Sequence, residues 1–304
     1  MEPTNGARAR RAGLDDRELE AVRRALLDAA ADLWRDLPWR ATRDPWLVLV
    51  SEVMLQQTQA ARVVEPFRRF VARFPTPEVC AAAGVGEVVR AWAGLGYNRR
   101  ALNLHRTAVT LVERHGGRVP GELGALLALP GVGPSTARAV LAFAHGAPIG
   151  VVDTNVSRVL ARAIAGRPIG GKEAQRMADR LVPASDAWRF NQAMLDLGAR
   201  CCTARRPRCG TCPLVARCRW AGAGGRAGAP DPAEPGRRRQ GTFAGSDREG
   251  RGKLVQALRA GPVASSEVAS AAGWPDQGPR ALRIARALVD EGIACFRDGF
   301  LVLS

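Results

Sequence analysis

Between residues 19 and 163, apolar residues recur at three- and four-residue intervals in stretches of about 10–16 residues, the period of a helix with one buried face. The pattern predicts helices over 19–33, 45–57, 61–73, 85–93, 99–115, 121–128, 135–144 and 154–163, with two more over 173–181 and 187–198. Breaks fall where glycine and proline cluster, as at Gly94-Leu95-Gly96 and Pro130-Gly131-Val132-Gly133-Pro134. Strand-like alternation is nearly absent, so the expected core is all-α. Residues 221–252 are rich in Gly, Pro and Arg and read as a linker. Beyond it, 253–259, 266–272 and 280–291 predict three short helices. Residues 293–297 and 300–303 around Asp298-Gly299 then predict a hairpin. Three helices and a hairpin suggest a small winged-helix-like domain over 253–304, which serves either to bind DNA or to pack on the main domain.

Composition adds a partner class. The 304 residues carry 45 Lys and Arg against 29 Asp and Glu, a net charge of +16. A field of that sign suits a polyanion, nucleic acid first and an anionic membrane surface second; drift of the sequence toward Arg is the bland alternative. The only lysines are Lys172 and Lys253, so a nucleophilic amine has few sources. No apolar run approaches the roughly 18–20 residues of a membrane span. The Arg-rich start has no apolar core after it and reads as a disordered basic arm over 1–18. The seven cysteines are odd in number and four crowd near position 210, which points to a reducing compartment and to metal rather than disulfides. A monomer in the cytoplasm, associated with the nucleoid, is expected.

Three motifs carry chemistry. Cys202, Cys209, Cys212 and Cys218 are spaced C-x6-C-x2-C-x5-C, and four thiolates within such a stretch can close around one soft metal centre. Zinc sites usually show two C-x2-C pairs, and one is present. Between the first two cysteines, Arg205, Arg206 and Arg208 form either a phosphate clamp on a metal-pinned loop or a solvated charged loop. In Leu129-Pro130-Gly131-Val132-Gly133-Pro134-Ser135-Thr136, Gly131 and Gly133 allow a tight turn that opens a helix, where N–H groups and the helix dipole favour an anion. Asp153, in Val152-Asp153-Thr154-Asn155, precedes a helix and is at least an N-cap.

Together these resemble the endonuclease III superfamily of helix-hairpin-helix DNA glycosylases over about residues 30–220. The resemblance implies a two-lobed helical domain over 19–220, a [4Fe-4S] cluster on the cysteine loop at 202–218, and a catalytic Asp153. Breaking an N-glycosidic bond builds positive charge on the sugar, which a carboxylate stabilises. Ser51-Glu52-Val53-Met54-Leu55-Gln56-Gln57-Thr58-Gln59, with Leu37-Pro38-Trp39-Arg40 upstream, is similar to the MutY-type adenine glycosylases. That likeness implies Glu52 as the acid protonating adenine, its pKa raised in a pocket walled by Trp39, Arg40 and Leu55. It implies Gln57 and Tyr97 as side chains inserted into the duplex, and Asn155 as partner of Asp153. Where bifunctional relatives carry the hairpin lysine of LPGVGxKT, this chain has Ser135, so no Schiff base forms there and a monofunctional enzyme is expected.

The sequence departs from the MutY pattern twice. Asp153-Thr154-Asn155 replaces Asp-Gly-Asn, and 253–304 is too short for the Nudix-like domain such enzymes usually carry. The expected substrate is double-stranded DNA with adenine opposite 8-oxoguanine or guanine. The alternatives are a thymine or uracil mismatch glycosylase of the same superfamily and a non-catalytic iron–sulfur DNA-binding protein.

Overall fold

The computed structural model describes residues 14–225, 229–233 and 241–304. Sixteen α-helices follow one another among the described residues. They are α1 (Asp16–Asp28), α2 (Ala30–Leu33), α3 (Pro45–Leu55), α4 (Ala60–Arg73), α5 (Pro77–Ala82), α6 (Val85–Ala91), α7 (Arg99–His115) and α8 (Leu123–Leu127). Then come α9 (Pro134–Phe143), α10 (Thr154–Val159), α11 (Gly171–Leu181), α12 (Ala187–Arg200), α13 (Arg219–Gly222), α14 (Asp247–Ala260), α15 (Val268–Ala271) and α16 (Gly278–Glu291). The strands are β1 (Val263–Ala264), β2 (Ala294–Arg297) and β3 (Phe300–Leu303).

The chain forms two compact units, each discontinuous in sequence. Of the described residues, one unit combines 14–36 with 141–225 and 229–233, the other 37–140 with 241–304. In the first, α1, α2 and α10–α12 enclose a core of Leu19, Leu26, Leu33, Val159, Leu181, Phe190 and Leu197. In the second, the aromatic centre is Phe70, packed edge-on against Trp92 at 5.8 Å and tilted against Phe74 at 4.9 Å.

Helix α1 begins before the predicted residue 19. Asp15 accepts from the Glu18 N–H at 2.8 Å and Glu18 accepts from the Asp15 N–H at 2.9 Å, a reciprocal cap that fixes the start. Leu14 is buried in the core. So 14–18 of the expected disordered arm are ordered, and 1–13 lie outside the described residues. The expected linker 221–252 is also shorter, because α14 starts at Asp247 behind Ser246. Of that linker, 226–228 and 234–240 lie outside the described residues.

The C-terminal part has the order helix, strand, two helices, hairpin, with β3 central in an antiparallel β1-β3-β2 sheet. Asp298 and Gly299 both take positive φ, 50° and 81°, as a two-residue hairpin turn requires. The expected short helices and hairpin are present here, and β1 adds a third strand that the sequence pattern does not show. The C-terminal part packs α14 and β3 on α6 within its unit. Gly86 on α6 permits that contact: a Cβ there would stand 2.8 Å from the Ser304 carbonyl oxygen.

Candidate active site

Glu52 is the only ionisable residue on α3, whose remaining positions are Pro, Ser and apolar side chains. Asp44 caps the helix, accepting from Trp46 and Leu47, and Pro45 sets its first turn. Trp46, Val48, Leu49, Val50, Val53 and Met54 are all buried, so α3 has almost no solvent face and Glu52 stands half-buried on it. A carboxyl retained on so apolar a helix is costly as structure and therefore suggestive of chemistry. Leu55 is half-buried at its end. Trp39 and Arg40 are buried in the short 3-10 turn Pro38–Arg40, where Trp39 meets Phe67 edge-on at 5.6 Å.

Arg100, which the sequence reading did not single out, organises the end of α3. Its Nη1 donates to the carbonyls of Val53, Met54 and Gln56 at 3.0, 2.7 and 2.6 Å. These are helix-end carbonyls that lack intrahelical donors, and a cation there also meets the negative end of the dipole. Its Nη2 donates to Thr58 Oγ1 at 3.1 Å and to the Leu95 and Gly96 carbonyls at 3.3 Å. The guanidinium lies 5.4 Å from the Trp92 ring centroid and 5.6 Å from that of Tyr97. Burial pulls its pKa down to about 10.

Arg100 thus staples together the two side chains expected to enter the duplex. Gln57 and Tyr97 are both exposed, and both hold positive φ, 56° and 46°. Such conformations cost a non-glycine residue about 1–3 kcal/mol and persist only where the surroundings impose them. Gly94 and Gly96, at φ 90° and 66°, make the loop around Tyr97.

The glycine turn is tied to the same place. Gln56 Nε2 donates to the Gly131 carbonyl at 3.2 Å and to Thr136 Oγ1 at 3.1 Å, and Thr107 Oγ1 donates to the Pro130 carbonyl at 2.9 Å. Gly131 has φ 76°, and a Cβ would lie 2.7 Å from Asn103 Nδ2, so only glycine fits. Gly133 has open space around its would-be Cβ and no unusual φ. Ser135 is exposed in the first turn of α9.

In the other unit, Asp153 is the N-cap of α10. Its Oδ1 accepts from the N–H groups of Asn155 and Val156 at 2.8 and 2.7 Å, and its Oδ2 accepts from Asn155 Nδ2 at 2.9 Å. Asn155 Oδ1 in turn accepts from Arg158 Nη2 at 2.8 Å. Arg158 continues to the Cys202 carbonyl through Nε at 2.6 Å and to the Gly198 carbonyl at 2.7 Å. A relay therefore runs from the carboxylate to the first cysteine of the loop. Gly198 makes room for it, since a Cβ there would come within 2.7 Å of Asn155 Cβ. Arg158 and Gly198 were missed because only spatial contacts across α10 and α12 reveal them.

Cys202, Cys209, Cys212 and Cys218 line one cavity, closed by the apolar side chains of Val159, Leu197, Leu214 and Trp220. Among the described residues no three His, Cys, Asp or Glu side chains are drawn together as around a single metal ion. Four thiol donors on an apolar wall fit an iron–sulfur cluster. Burial raises the Cys212 thiol to about 12 and pushes Cys202 and Cys218 up as well, a penalty that metal binding removes by taking the thiolates directly. Arg162, fully buried, donates to Cys202 Sγ at 3.6 Å and to the Thr203 and Ala204 carbonyls at 2.7 and 2.9 Å. It also pairs with Asp231, part of the expected linker. Cys201 is buried beside the cavity, Cys80 is buried and Cys295 half-buried elsewhere.

Arg205, Arg206 and Arg208 are exposed on the loop and take part in no ion pair among the described residues. If all three meet phosphates, replacing them together with alanine is expected to weaken duplex binding similarly for every sequence. The slope of log affinity against log salt should fall by about 1 per lost contact, measured by fluorescence anisotropy across a salt series.

Comparison with known proteins places the chain among DNA repair proteins. Residues 50–184 match the HhH-GPD superfamily of base excision DNA repair proteins, and 202–218 match the iron-sulfur binding domain of endonuclease III. Two solved structures share the architecture. A thermostable thymine-DNA glycosylase aligns with TM-score 0.64 and 29% identity, covering 68% of this chain and 98% of its own. A trapped endonuclease III–DNA covalent intermediate aligns with TM-score 0.62 and 26% identity over 70% and 100%. The adenine DNA glycosylase of Mycolicibacterium smegmatis is 43% identical, covering 89% of this chain and 92% of the relative. That of Mycobacterium tuberculosis is 44% identical over 88% and 89%. The chain belongs to the adenine DNA glycosylase family of that superfamily, and its cysteine loop is a [4Fe-4S] site. No described helix is long and apolar enough to cross a membrane.

Proposed function

We propose that this protein is a monofunctional DNA glycosylase that hydrolyses the N-glycosidic bond of adenine mispaired with 8-oxoguanine or guanine in double-stranded DNA. The observation that carries this reading is Glu52, a lone carboxyl on a helix otherwise apolar and pinned at its end by Arg100. Adenine leaves poorly as an anion. A proton from Glu52 to a ring nitrogen turns it into a neutral leaving group. Asp153 opposes the positive charge that then develops on the sugar, and water completes the hydrolysis. Both Asp153 oxygens are already held, so the carboxylate is preorganised for charge rather than free to swing.

Gln57 and Tyr97 wedge the stack when the base leaves it, and the Gly131–Ser135 turn, with Gly133 open to close approach, grips the backbone. Trp39, Arg40 and Leu55 shape the base pocket. Arg205, Arg206 and Arg208 hold phosphates beside the cluster. The cluster-binding cysteines pin that loop. Ser135 offers no amine, so the product is an abasic site in an intact strand. The protein acts as a monomer, in the cytoplasm on the nucleoid.

Glu52→Gln keeps size and hydrogen bonding but not the proton. It is expected to slow adenine release by about 10²–10⁴-fold in single-turnover assays. Duplexes with A:8-oxoG, A:G, T:G and U:G decide the base. The likeness to a thymine-DNA glycosylase structure makes T:G the informative competitor. Release of thymine but not adenine overturns the reading, as does strand cleavage without alkali.

A further inference from the structure

Within its compact unit, Arg259 carries the C-terminal module to the Tyr97 loop among the described residues. Arg259, in the last turn of α14, donates from Nε to the Val89 carbonyl at 3.0 Å and from Nη2 to Asn98 Oδ1 at 2.7 Å. Val89 lies in the last turn of α6, where carbonyls lack helical partners. Asn98 is the residue after Tyr97 and the N-cap of α7. An asparagine there normally caps its own helix through its side chain. This one makes no side-chain cap; its oxygen faces Arg259 instead, and it is only 6% exposed.

The loop is therefore gripped on both sides. Arg100 holds the Leu95 and Gly96 carbonyls and stacks near the Tyr97 ring. Arg259 holds Asn98. Between these anchors Tyr97 is kept at φ 46° while the residue stays 51% exposed. A left-handed tyrosine persists only where its surroundings impose that conformation.

We propose that Arg259 is a positioning residue by which the C-terminal module braces the loop presenting Tyr97, giving the module a part in DNA engagement without any base contact of its own. The part concerning DNA rests on the reading of Tyr97 as the inserted side chain; the brace itself does not.

Tyr97 is the only tyrosine in the chain, so the full-length protein grown with 3-fluorotyrosine gives a single ¹⁹F resonance that reports this loop. Arg259→Ala is expected to shift and broaden that resonance and to weaken binding to an A:8-oxoG duplex about tenfold, the scale of one charge-assisted hydrogen bond. Asn98→Ala cuts the same tie from outside the module and should reproduce both effects, and the double variant should be no worse than either single one. Arg106→Ala removes a different link to the module, the Arg106 donation to the Glu291 carbonyl, and should leave the resonance in place. An unchanged resonance in Arg259→Ala or Asn98→Ala overturns the brace. An equal shift in Arg106→Ala also overturns it, because loose docking would then suffice. Tyr97→Ala separates the two claims. Wild-type affinity and excision in that variant refute Tyr97 as the wedge, while the resonance still decides the brace.

Discussion

Asp153→Asn is expected to reduce adenine excision about a thousandfold while the protein stays folded, the scale seen when a charge-stabilising group is removed from a reaction centre. Asparagine caps helices as well as aspartate, so its Oδ1 can still accept from Asn155 and Val156. The other atom is the difficulty. An amide nitrogen would replace Oδ2 and face Asn155 Nδ2, donor to donor. Asn155 must then flip, which takes its oxygen from Arg158. A local cost of about 1 kcal/mol follows. Asp153→Ser keeps the cap without that conflict and also removes the charge. Both variants should therefore lose catalysis together and differ slightly in melting temperature. Single-turnover excision with parallel thermal unfolding checks this; either variant keeping more than about a tenth of the rate would remove Asp153 from the chemistry.

Arg100→Ala should be the most destabilising single change around Tyr97. It strips donors from six acceptors, and the carbonyls of Val53, Met54 and Leu95 lie too deep for water to replace them all. A loss of about 3–5 kcal/mol is expected, as for other buried charged groups whose partners are left behind. Urea unfolding measures it. Arg100→Lys keeps the charge near the end of α3 but cannot reach both groups of acceptors, so it should recover stability only in part. Excision should fall in both variants even below their melting points, since Gln57 and Tyr97 lose their common support. Normal stability in Arg100→Ala would show that the α3 end is held by other means.

What could be read from sequence was local. The cysteine spacing, the glycine turn and the apolar helix around Glu52 are each contained within about 20 residues, and their chemistry follows from residue type and order. The same is true of the Asp298-Gly299 turn. The pinning arginines were illegible for the opposite reason. Arg100, Arg158 and Arg259 lie on ordinary helical stretches, and each acts across a contact between elements distant along the chain. Helical periodicity also cannot show that α1 and α2 share a core with α10–α12. The start of α1 is legible in Asp15 with Glu18, which have the spacing of a capping box; Ser246 with Glu249 have the same spacing ahead of α14, although Ser246 makes no side-chain cap there. Strand β1, only two residues long, has no pattern to detect.

Gln57 and Tyr97 carry a consequence for engineering. A glycine at either position would relax the backbone by about 1 kcal/mol, because only residues with a Cβ are penalised there. A library screened for heat tolerance alone would thus enrich glycine at both sites, and on the proposed reading of Gln57 and Tyr97 as the inserted side chains that gain would come at the expense of activity. Thermostable descendants have to be sorted on turnover as well as survival, with those two codons held constant.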